Sequence, residues 1–333
     1  MHLFALTCDE CAEAFSIVGT ARVHAVAWYR QALKYGRPVK DPDCRMPEGL
    51  DWSTPALCAT VEQDGVVKIG FELKDGLRIE TVIIPADGRT TLCVSSQAGC
   101  RMGCQFCATG ASGFCRNLLP EEIVAQVFVV RHGLGRPVDN LVFMGMGEPL
   151  DNVGNVVRAI RVLSDQRGFD IALRHITVST VGLPDGLRHF GGFGLTGLRL
   201  AISLNAANDQ LRSYLMPVNR TYPLSVLKQA LQSYPLRKKE VFFIEYVLLK
   251  GVNDSPEHAA ELTRFLKGLP VRVNVIAYNP GPDSRFESPA PEACKGFCTL
   301  LARDGVFVRL RSSRGQAIQA ACGQLVYSGC TCT

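Results

Sequence analysis

Between Thr91 and Arg311 the chain alternates short, β-branched apolar runs with segments whose apolar residues recur at helical spacing, and no other feature restricts its fold so much. The runs Leu92–Ser95, Asn140–Met144, His175–Thr180, Leu198–Leu204, Phe242–Leu249, Arg272–Tyr278 and Phe307–Arg311 read as strands. Pro120–Arg131, Asn152–Leu163, Leu224–Ser233, Pro256–Leu269 and Pro291–Arg303 read as the helices between them. Their starts carry suitable chemistry: Pro120 precedes Glu121 and Glu122, and Ser255-Pro256-Glu257 supplies a cap, a first-turn proline and an acid. Strands separated by helices pair in parallel through right-handed crossovers. About six such units predict an α/β fold built on a partial (βα)6 barrel, because a closed eight-unit barrel usually takes ~250 residues. Ligands then bind in the loops that follow the strands.

The chain before Thr91 is patterned differently. Ala21–Leu33 reads as a helix, and Gly65–Glu72 and Leu77–Pro85 as two strands joined across Lys74-Asp75-Gly76, whose Asp-Gly pair favours a hairpin. The expectation is an accessory region over residues 1–85, helix plus hairpin, and a barrel with a C-terminal segment over residues 86–333. With 333 residues, 47% apolar and 20% charged, the chain can bury such a core, which excludes general disorder. No apolar run reaches the ~18 residues that read as a spanning helix. Asp9, Glu10 and Glu13 break the basic-then-apolar grammar of a secretory leader, so a cytoplasmic protein without a membrane contact is expected. The net charge of +5 permits a polyanionic partner without requiring one. Arg22, Arg30, Lys34, Arg37, Lys40 and the cluster Arg237-Lys238-Lys239 are candidate phosphate contacts. From Met1 to Leu50, however, six basic residues face six acidic ones, so that region has no positive balance of its own.

Fourteen cysteines in a chain read as intracellular point to metal ligation or thiol chemistry before disulfides. Three of them fall in one loop, Cys100-Arg-Met-Gly-Cys104-Gln-Phe-Cys107, just after the first barrel strand. Three thiolates can hold three corners of an iron–sulfur cube and leave the fourth iron open. Gly99 and Gly103 give the loop the backbone freedom to wrap a cluster. Zinc is the rival occupant and would need a fourth ligand, for which Cys115 is near in sequence. Cys8, Cys11, Cys44, Cys58, Cys115, Cys294, Cys298, Cys330 and Cys332 are otherwise read as structural or incidental.

The string from Gly99 to Gly110, together with Arg116-Asn117-Leu118, Met144-Gly-Met-Gly-Glu-Pro-Leu150 and Ser313-Arg-Gly-Gln-Ala-Ile-Gln-Ala-Ala-Cys-Gly-Gln-Leu325, resembles the RlmN/Cfr family of adenosine methyltransferases. These are radical S-adenosylmethionine (SAM) enzymes, and the resemblance runs from about Glu80 to Leu325 in the family's motif order. It implies a [4Fe–4S] cluster on Cys100, Cys104 and Cys107. It implies that Gly147 and Glu148 meet the methionyl amine of SAM, that Ser179 and Ser203-Leu204-Asn205 meet its carboxylate and ribose, and that Asn279 completes the nucleoside contacts. Read without it, Glu148 is a loop acid ahead of a helix, and Ser and Asn end strands in many proteins. Asn205 departs from the family's usual Ser-Leu-His: it keeps a hydrogen-bonding side chain and loses titration near neutral pH.

The resemblance also implies that Cys322 is methylated by a first SAM, that Cys93 later closes a disulfide on it, and that Glu80 accepts a proton. Arg311 and Arg314, close in sequence, are expected to lower the Cys322 pKa. By pattern alone Cys322 and Cys93 are packing residues and Glu80 is the polar side of an alternating strand.

The implied reaction answers a chemical difficulty. C2 of adenine is an electron-poor amidine carbon, unreactive toward an electrophilic methyl group, so a cofactor-borne radical is required. In the implied sequence Cys322 takes a methyl group by displacement from one SAM. A second SAM, cleaved at the reduced cluster, yields a 5′-deoxyadenosyl radical that abstracts hydrogen from that methyl. The methylene radical adds to the base, an electron is lost, Glu80 takes the ring proton, and Cys93 attacks the Cys322 sulfur to free the product. The implied substrates are an unstacked adenosine of 23S rRNA at the peptidyl-transferase centre and the adenosine 3′ of the anticodon in tRNA. A monomeric enzyme and a reducing donor such as flavodoxin complete the expectation. Three readings compete: methylation of the same rRNA adenosine at C8, a radical SAM enzyme on a non-RNA substrate, and a zinc-binding RNA-interaction protein without catalysis. Only the methyl-cysteine route needs both Cys322 and Cys93.

Overall fold

A computed structural model describes residues 1–37, 41–86, 88–281 and 284–325; Lys40, Cys330 and Cys332 lie outside the described residues. Helices α1 (Cys8–Ile17) and α2 (Arg22–Lys34) lead into three antiparallel strands, β1 (Ala56–Gln63), β2 (Val66–Glu72) and β3 (Arg78–Ala86). β3 pairs antiparallel with β4 (Arg89–Cys93), the first barrel strand. The cysteine loop sits in a small hairpin of β5 (Gln97–Gly99) and β6 (Phe114–Asn117), with the one-turn helix α3 (Ala108–Ala111) between them. There follow α4 (Pro120–Phe128), β7 (Asn140–Phe143), α5 (Val153–Ser164), β8 (Ile176–Thr180), α6 (Pro184–Gly192) and β9 (Arg199–Ser203). The last part comprises α7 (Asp209–Leu215), α8 (Leu224–Ser233), β10 (Phe242–Leu248), α9 (Pro256–Leu266), β11 (Val271–Ala277), α10 (Pro291–Arg303) and β12 (Val308–Arg311). From β4 onward the barrel strands β4 and β7 to β12 are parallel neighbours in chain order, and with β1 to β3 they make one ten-stranded sheet.

The expected partial barrel is present, and its strands and helices fall close to the segments read from the pattern. The elements without a clear pattern have physical reasons for lacking one. β1 is an edge strand exposed along nearly its whole length, so neither face needs alternating apolar residues. α6 holds Gly186, Gly191 and Gly192, which lower its helical propensity.

The alternation of β10 shows how the barrel is filled. Phe242, Ile244, Tyr246 and Leu248 are buried on one face, while Phe243, Glu245 and Val247 on the other are only partly covered. β8 repeats this, with Ile176, Val178 and Thr180 buried and Thr177 and Ser179 on the partly covered face. The apolar core thus lies between the sheet and its helices. The inner face keeps polar groups and space, unlike the packed interior of a closed eight-stranded barrel.

After β12 the chain crosses the open edge toward β2 and β3. Arg314 donates to the Pro85 carbonyl, and Lys68 Nζ to the Gln319 carbonyl at 3.4 Å. Farther along, the Ala108 N–H donates to the Gly323 carbonyl at 2.7 Å and Thr109 Oγ1 to the Leu325 carbonyl at 2.5 Å. These bonds fix the segment that carries Cys322.

At the other end of the chain, α1 and α2 dock on the outer helices. The Cys8 N–H donates to Asp165 Oδ2 at 2.7 Å, Arg158 Nε to the Ala5 carbonyl at 2.6 Å, and the Phe4 and Phe128 rings lie 4.8 Å apart. Phe4, Phe15 and Tyr29 are fully buried there, each worth roughly 1.5–3 kcal/mol of transfer free energy. Cys8 and Cys11 belong to this core. Two of the candidate phosphate contacts are engaged within the chain, Arg22 with Asp9 and Lys34 with Asp170 at 3.0 Å. Among the described residues no helix is long and apolar enough to cross a membrane.

Candidate active site

The cysteine loop is shaped first by backbone. Gly99 has φ +76°, and a Cβ there would lie 2.1 Å from the Gly113 carbonyl oxygen, which accepts from the Cys100 N–H at 2.7 Å. The Gln105 N–H donates to the Leu215 carbonyl at 2.9 Å, anchoring the loop to the end of α7. Cys100, Cys104 and Cys107 then line one cavity at the C-terminal ends of the barrel strands, together with Gly147, Glu148, Ser179 and Ser203. Burial pushes the Cys100 thiol up to about 12. Burial and then the thiols of Cys107 and Cys100 push Cys104 well above its ordinary value. Such thiols stay protonated until a cation displaces their protons.

The spacing of the three thiols separates a cluster from a single ion. Thiolates at ~2.3 Å from one zinc ion stand within ~4 Å of each other. Among the described residues the one trio of potential ligands whose atoms all lie within 4.8 Å of one another is His24, Asp41 and Asp43, so the cysteines are spread wider than that. Cys115, the sequence-near fourth zinc ligand, is held in a disulfide. A soft, wide, three-cornered thiol set fits an iron–sulfur cube with one open corner.

The loop after β7 forms the opposite wall. Gly147 has φ +102°, and a Cβ there would lie 2.5 Å from Gln97 Cβ. The Glu148 N–H donates to Gln97 Oε1 at 2.8 Å. Glu148 Oε1 accepts from the Leu150 N–H and Oε2 from the Val181 N–H, both at 2.9 Å. Burial outweighs these bonds and pushes the carboxyl up to about 7. A cation brought to this cavity would reverse that shift. Ser95 ties the wall together, donating through Oγ to the Glu80 carbonyl at 2.6 Å and accepting from the Met146 N–H at 2.9 Å.

Ser179 and Ser203 line the cavity, while Leu204, Asn205 and Asn279 are buried beyond its lining. Asn205 is buried with φ +60°, a conformation Asn tolerates better than most residues. Its Oδ1 accepts from the Val247 N–H and its Nδ2 donates to Ser203 Oγ, both at 2.9 Å, so it acts on the site by orienting Ser203. Leu204 is buried and its N–H donates to the Glu245 carbonyl at 3.0 Å. Asn279 is buried and accepts from Gln316.

Cys322 enters the same cavity from the C-terminal segment. Its thiol lies deep in the fold yet has an open surface, because it faces the cavity rather than packed side chains. Burial, then Glu245 and Cys107, push it up to about 11. The expected lowering by Arg311 and Arg314 does not occur: Arg311 Nε donates to Asn274 Oδ1 at 3.1 Å, and Arg314 reaches Pro85. Cys93, on β4, is buried, and after burial the Cys322 thiol is the largest influence raising its pKa, so the two sulfurs are within electrostatic reach. Both are free thiols. Glu80 stands two residues before Val82, the residue that pairs with Cys93, so Glu80 and Cys93 share the inner face. Its Oε1 is 3.1 Å from Lys68 Nζ.

Lys68, Arg212 and Glu245 were not singled out by the sequence. Glu245 had a readable signal, an acid in the middle of an otherwise apolar strand, and it accepts from Asn274 Nδ2 at 2.8 Å. Arg212 is fully buried in α7 and donates to the Leu204 carbonyl (3.2 Å), Asn219 Oδ1 (2.8 Å) and the Val181 carbonyl (2.7 Å). It joins the tips of β8 and β9 behind the cavity, and burial pushes its pKa down to about 10. Nothing in its local sequence distinguishes it from a surface arginine.

The chain is similar to known proteins in sequence and fold. The pattern of the radical SAM superfamily matches residues 94–263. The chain is 48% identical over 265 residues to the dual-specificity RNA methyltransferase RlmN of Syntrophobacter fumaroxidans, spanning 79% of this chain and 77% of that protein. It is 42% identical over 290 residues to the protein of the same name from Campylobacter jejuni, spanning 82% and 81%. A solved radical SAM methyltransferase from Sphaerobacter thermophilus superposes with a TM-score of 0.90 at 38% identity, covering 97% of this chain and 98% of that one.

Proposed function

This chain belongs to the RlmN family within the radical SAM superfamily, and from that premise we propose that it methylates adenosine C2 in 23S rRNA, at the peptidyl-transferase centre, and in tRNA 3′ of the anticodon. The observation that carries the reading is the delivery of Cys322 into the cavity of Cys100, Cys104 and Cys107, with Cys93 in electrostatic reach. When bound by those three thiolates, a [4Fe–4S] cluster supplies the electron for reductive cleavage of SAM.

The chain's own residues divide the rest. Glu148, Ser179 and Ser203 hold SAM through its ammonium, carboxylate and ribose. The Cys322 sulfur accepts the methyl group of one SAM, and the sulfonium charge beside it favours the thiolate over the thiol. After the methylene radical has added to C2, the adduct loses one electron and the Glu80 carboxylate takes the proton from C2. Cys93 then attacks the Cys322 sulfur: a sulfur–sulfur bond forms, the sulfur–carbon bond to product breaks with its electron pair on the methylene carbon, that carbon takes a proton to become the methyl group, and an external dithiol restores both cysteines. Two SAM molecules per turnover and a one-electron donor such as flavodoxin complete the requirement.

The test is incubation of the reconstituted, reduced protein with methyl-labelled SAM and rRNA or tRNA, followed by nucleoside mass spectrometry. Label in 2-methyladenosine, absent with Cys322→Ala, is the expected result. Label in 8-methyladenosine would overturn the position. Robust 5′-deoxyadenosine with no labelled nucleoside would overturn the RNA substrate.

A further inference from the structure

A second cavity, of about 350 Å³, occupies the opposite end of the barrel interior. Arg89 and Arg199, the first residues of β4 and β9, stand at its rim, with His175 just before β8. Arg311 reaches in from β12, and Thr91, Thr177 and Asn274 supply hydrogen-bonding groups inside. Among the described residues, none of Arg89, Arg174 or Arg199 has a carboxylate within ion-pair distance, and Arg311 is bonded only to the Asn274 amide oxygen. The His175 imidazole responds to this concentration of charge: burial first, then Arg174, Arg199 and Arg89, push its pKa down, and Asp139 opposes them weakly. Met144 and Glu245 line this cavity and also the one holding Cys322, so the two spaces meet back to back inside the barrel.

The cysteine end is covered from above, where the Ala108 N–H and Thr109 Oγ1 bond the Gly323 and Leu325 carbonyls. Because Met144 and Glu245 line both cavities, the lower one gives a substrate base a path to Cys322, and Arg89 and Arg199 stand at its rim with no carboxylate partner among the described residues. Guanidinium groups match phosphate oxygens, and a base drawn out of its stack needs its flanking backbone held.

Resting on the RNA methyltransferase reading above, we infer that the N-terminal mouth of the barrel is the port for RNA. Arg89, Arg199 and Arg311 hold the phosphates around the target nucleotide, and its base passes Thr177 and Glu245 to reach Cys322.

The test uses the reconstituted holoenzyme with Arg89→Glu/Arg199→Glu, whose side chains are exposed, and with Thr177→Trp, which fills the cavity. Three readouts are compared: affinity for an RNA stem-loop with an unpaired adenosine across a salt series, the KM and kcat for RNA methylation, and methyl transfer from SAM to Cys322 without RNA. In the double variant RNA binding should weaken at least ~10-fold and the salt slope should fall by ~1–2, as expected for two lost phosphate contacts. Thr177→Trp should lower kcat/KM for RNA, and both variants should methylate Cys322 at the wild-type rate. Wild-type RNA affinity, salt slope and kcat/KM in both variants, alongside an active wild type, would overturn the port and leave the proposed function standing. Inorganic pyrophosphate that binds the mouth without competing with RNA would overturn it in favour of a small-anion site. A wild type that methylates Cys322 but no RNA would overturn both.

Discussion

At the C-terminal ends of its strands the barrel gathers the thiols of Cys100, Cys104, Cys107 and Cys322, and burial raises the pKa of Cys100, Cys104 and Cys322. At the N-terminal ends of β4 and β9 it presents Arg89 and Arg199, and Arg311, the last residue of β12, reaches the same cavity; all three are exposed and charged. A single strand spans both: on β10, Val247 faces the cysteine cavity, Phe243 the basic one, and Glu245 borders the two. The contrast is one of dielectric. Soft ligands and reactive sulfur need a site that excludes water, whereas recognition of a polyanion needs cations that stay hydrated until their partner arrives. An incompletely filled barrel provides both within a few residues of strand.

If the two ends are separate in function, the sharpest blow falls on chemistry alone. Cys322→Ala should lower RNA methylation by at least ~10³-fold, as for other essential nucleophiles, while the affinity for an RNA stem-loop stays at its wild-type value. Equal losses in both would break the division. Cys104→Ser should next remove the cluster, seen as lost iron and lost visible absorbance after reconstitution. 5′-Deoxyadenosine formation should vanish with it, and RNA affinity should not.

Glu148 tests the dry end through pH. Its carboxyl, pushed up to about 7 by burial, is neutral below that value and ionised above it. Only the ionised form pairs with the ammonium of SAM, so SAM binding should tighten by ~10-fold as pH rises through about 7, the worth of one charged hydrogen bond. Equilibrium binding on either side of that pH checks it, and Glu148→Gln should flatten the profile. A smaller effect is expected at Arg212→Lys, which loses the fork that joins Leu204, Asn219 and Val181. Its cost of ~2 kcal/mol should lower Tm by a few degrees and weaken SAM binding without touching RNA affinity. Smallest of all, Arg22→Ala and Lys34→Ala should change RNA affinity by less than ~2-fold, because their exposed charges already face Asp9 and Asp170. A larger loss would move recognition from the barrel mouth to the N-terminal helices.

Some of this was legible beforehand. The strand–helix alternation carried the barrel, because burying one face of a strand and one stripe of a helix imposes periods that a linear reading detects. The cysteine loop was legible because its three thiols are neighbours in sequence, and Gly147-Glu148 was singled out through the family resemblance; both border one cavity. The support that Asn205 gives Ser203 was not legible, since its positive φ and its bonds to Val247 and Ser203 come from the fold. The effect of Arg311 on Cys322 was misjudged, since nearness in sequence did not bring the guanidinium to the sulfur.

By itself, then, the sequence determined which groups are present and which segments alternate: three thiols in one loop, a carboxylate after a glycine, strands that must pair in parallel. Tertiary structure alone decided what meets across the barrel: Lys68 with Glu80 across 3.1 Å, the buried Arg212 with the tips of two strands, and Arg89 and Arg199, with no carboxylate partner among the described residues, at the other mouth. Such meetings depend on strand register, barrel curvature and the path of the C-terminal segment. Each of these is set by long-range packing, which leaves no period in the chain to read.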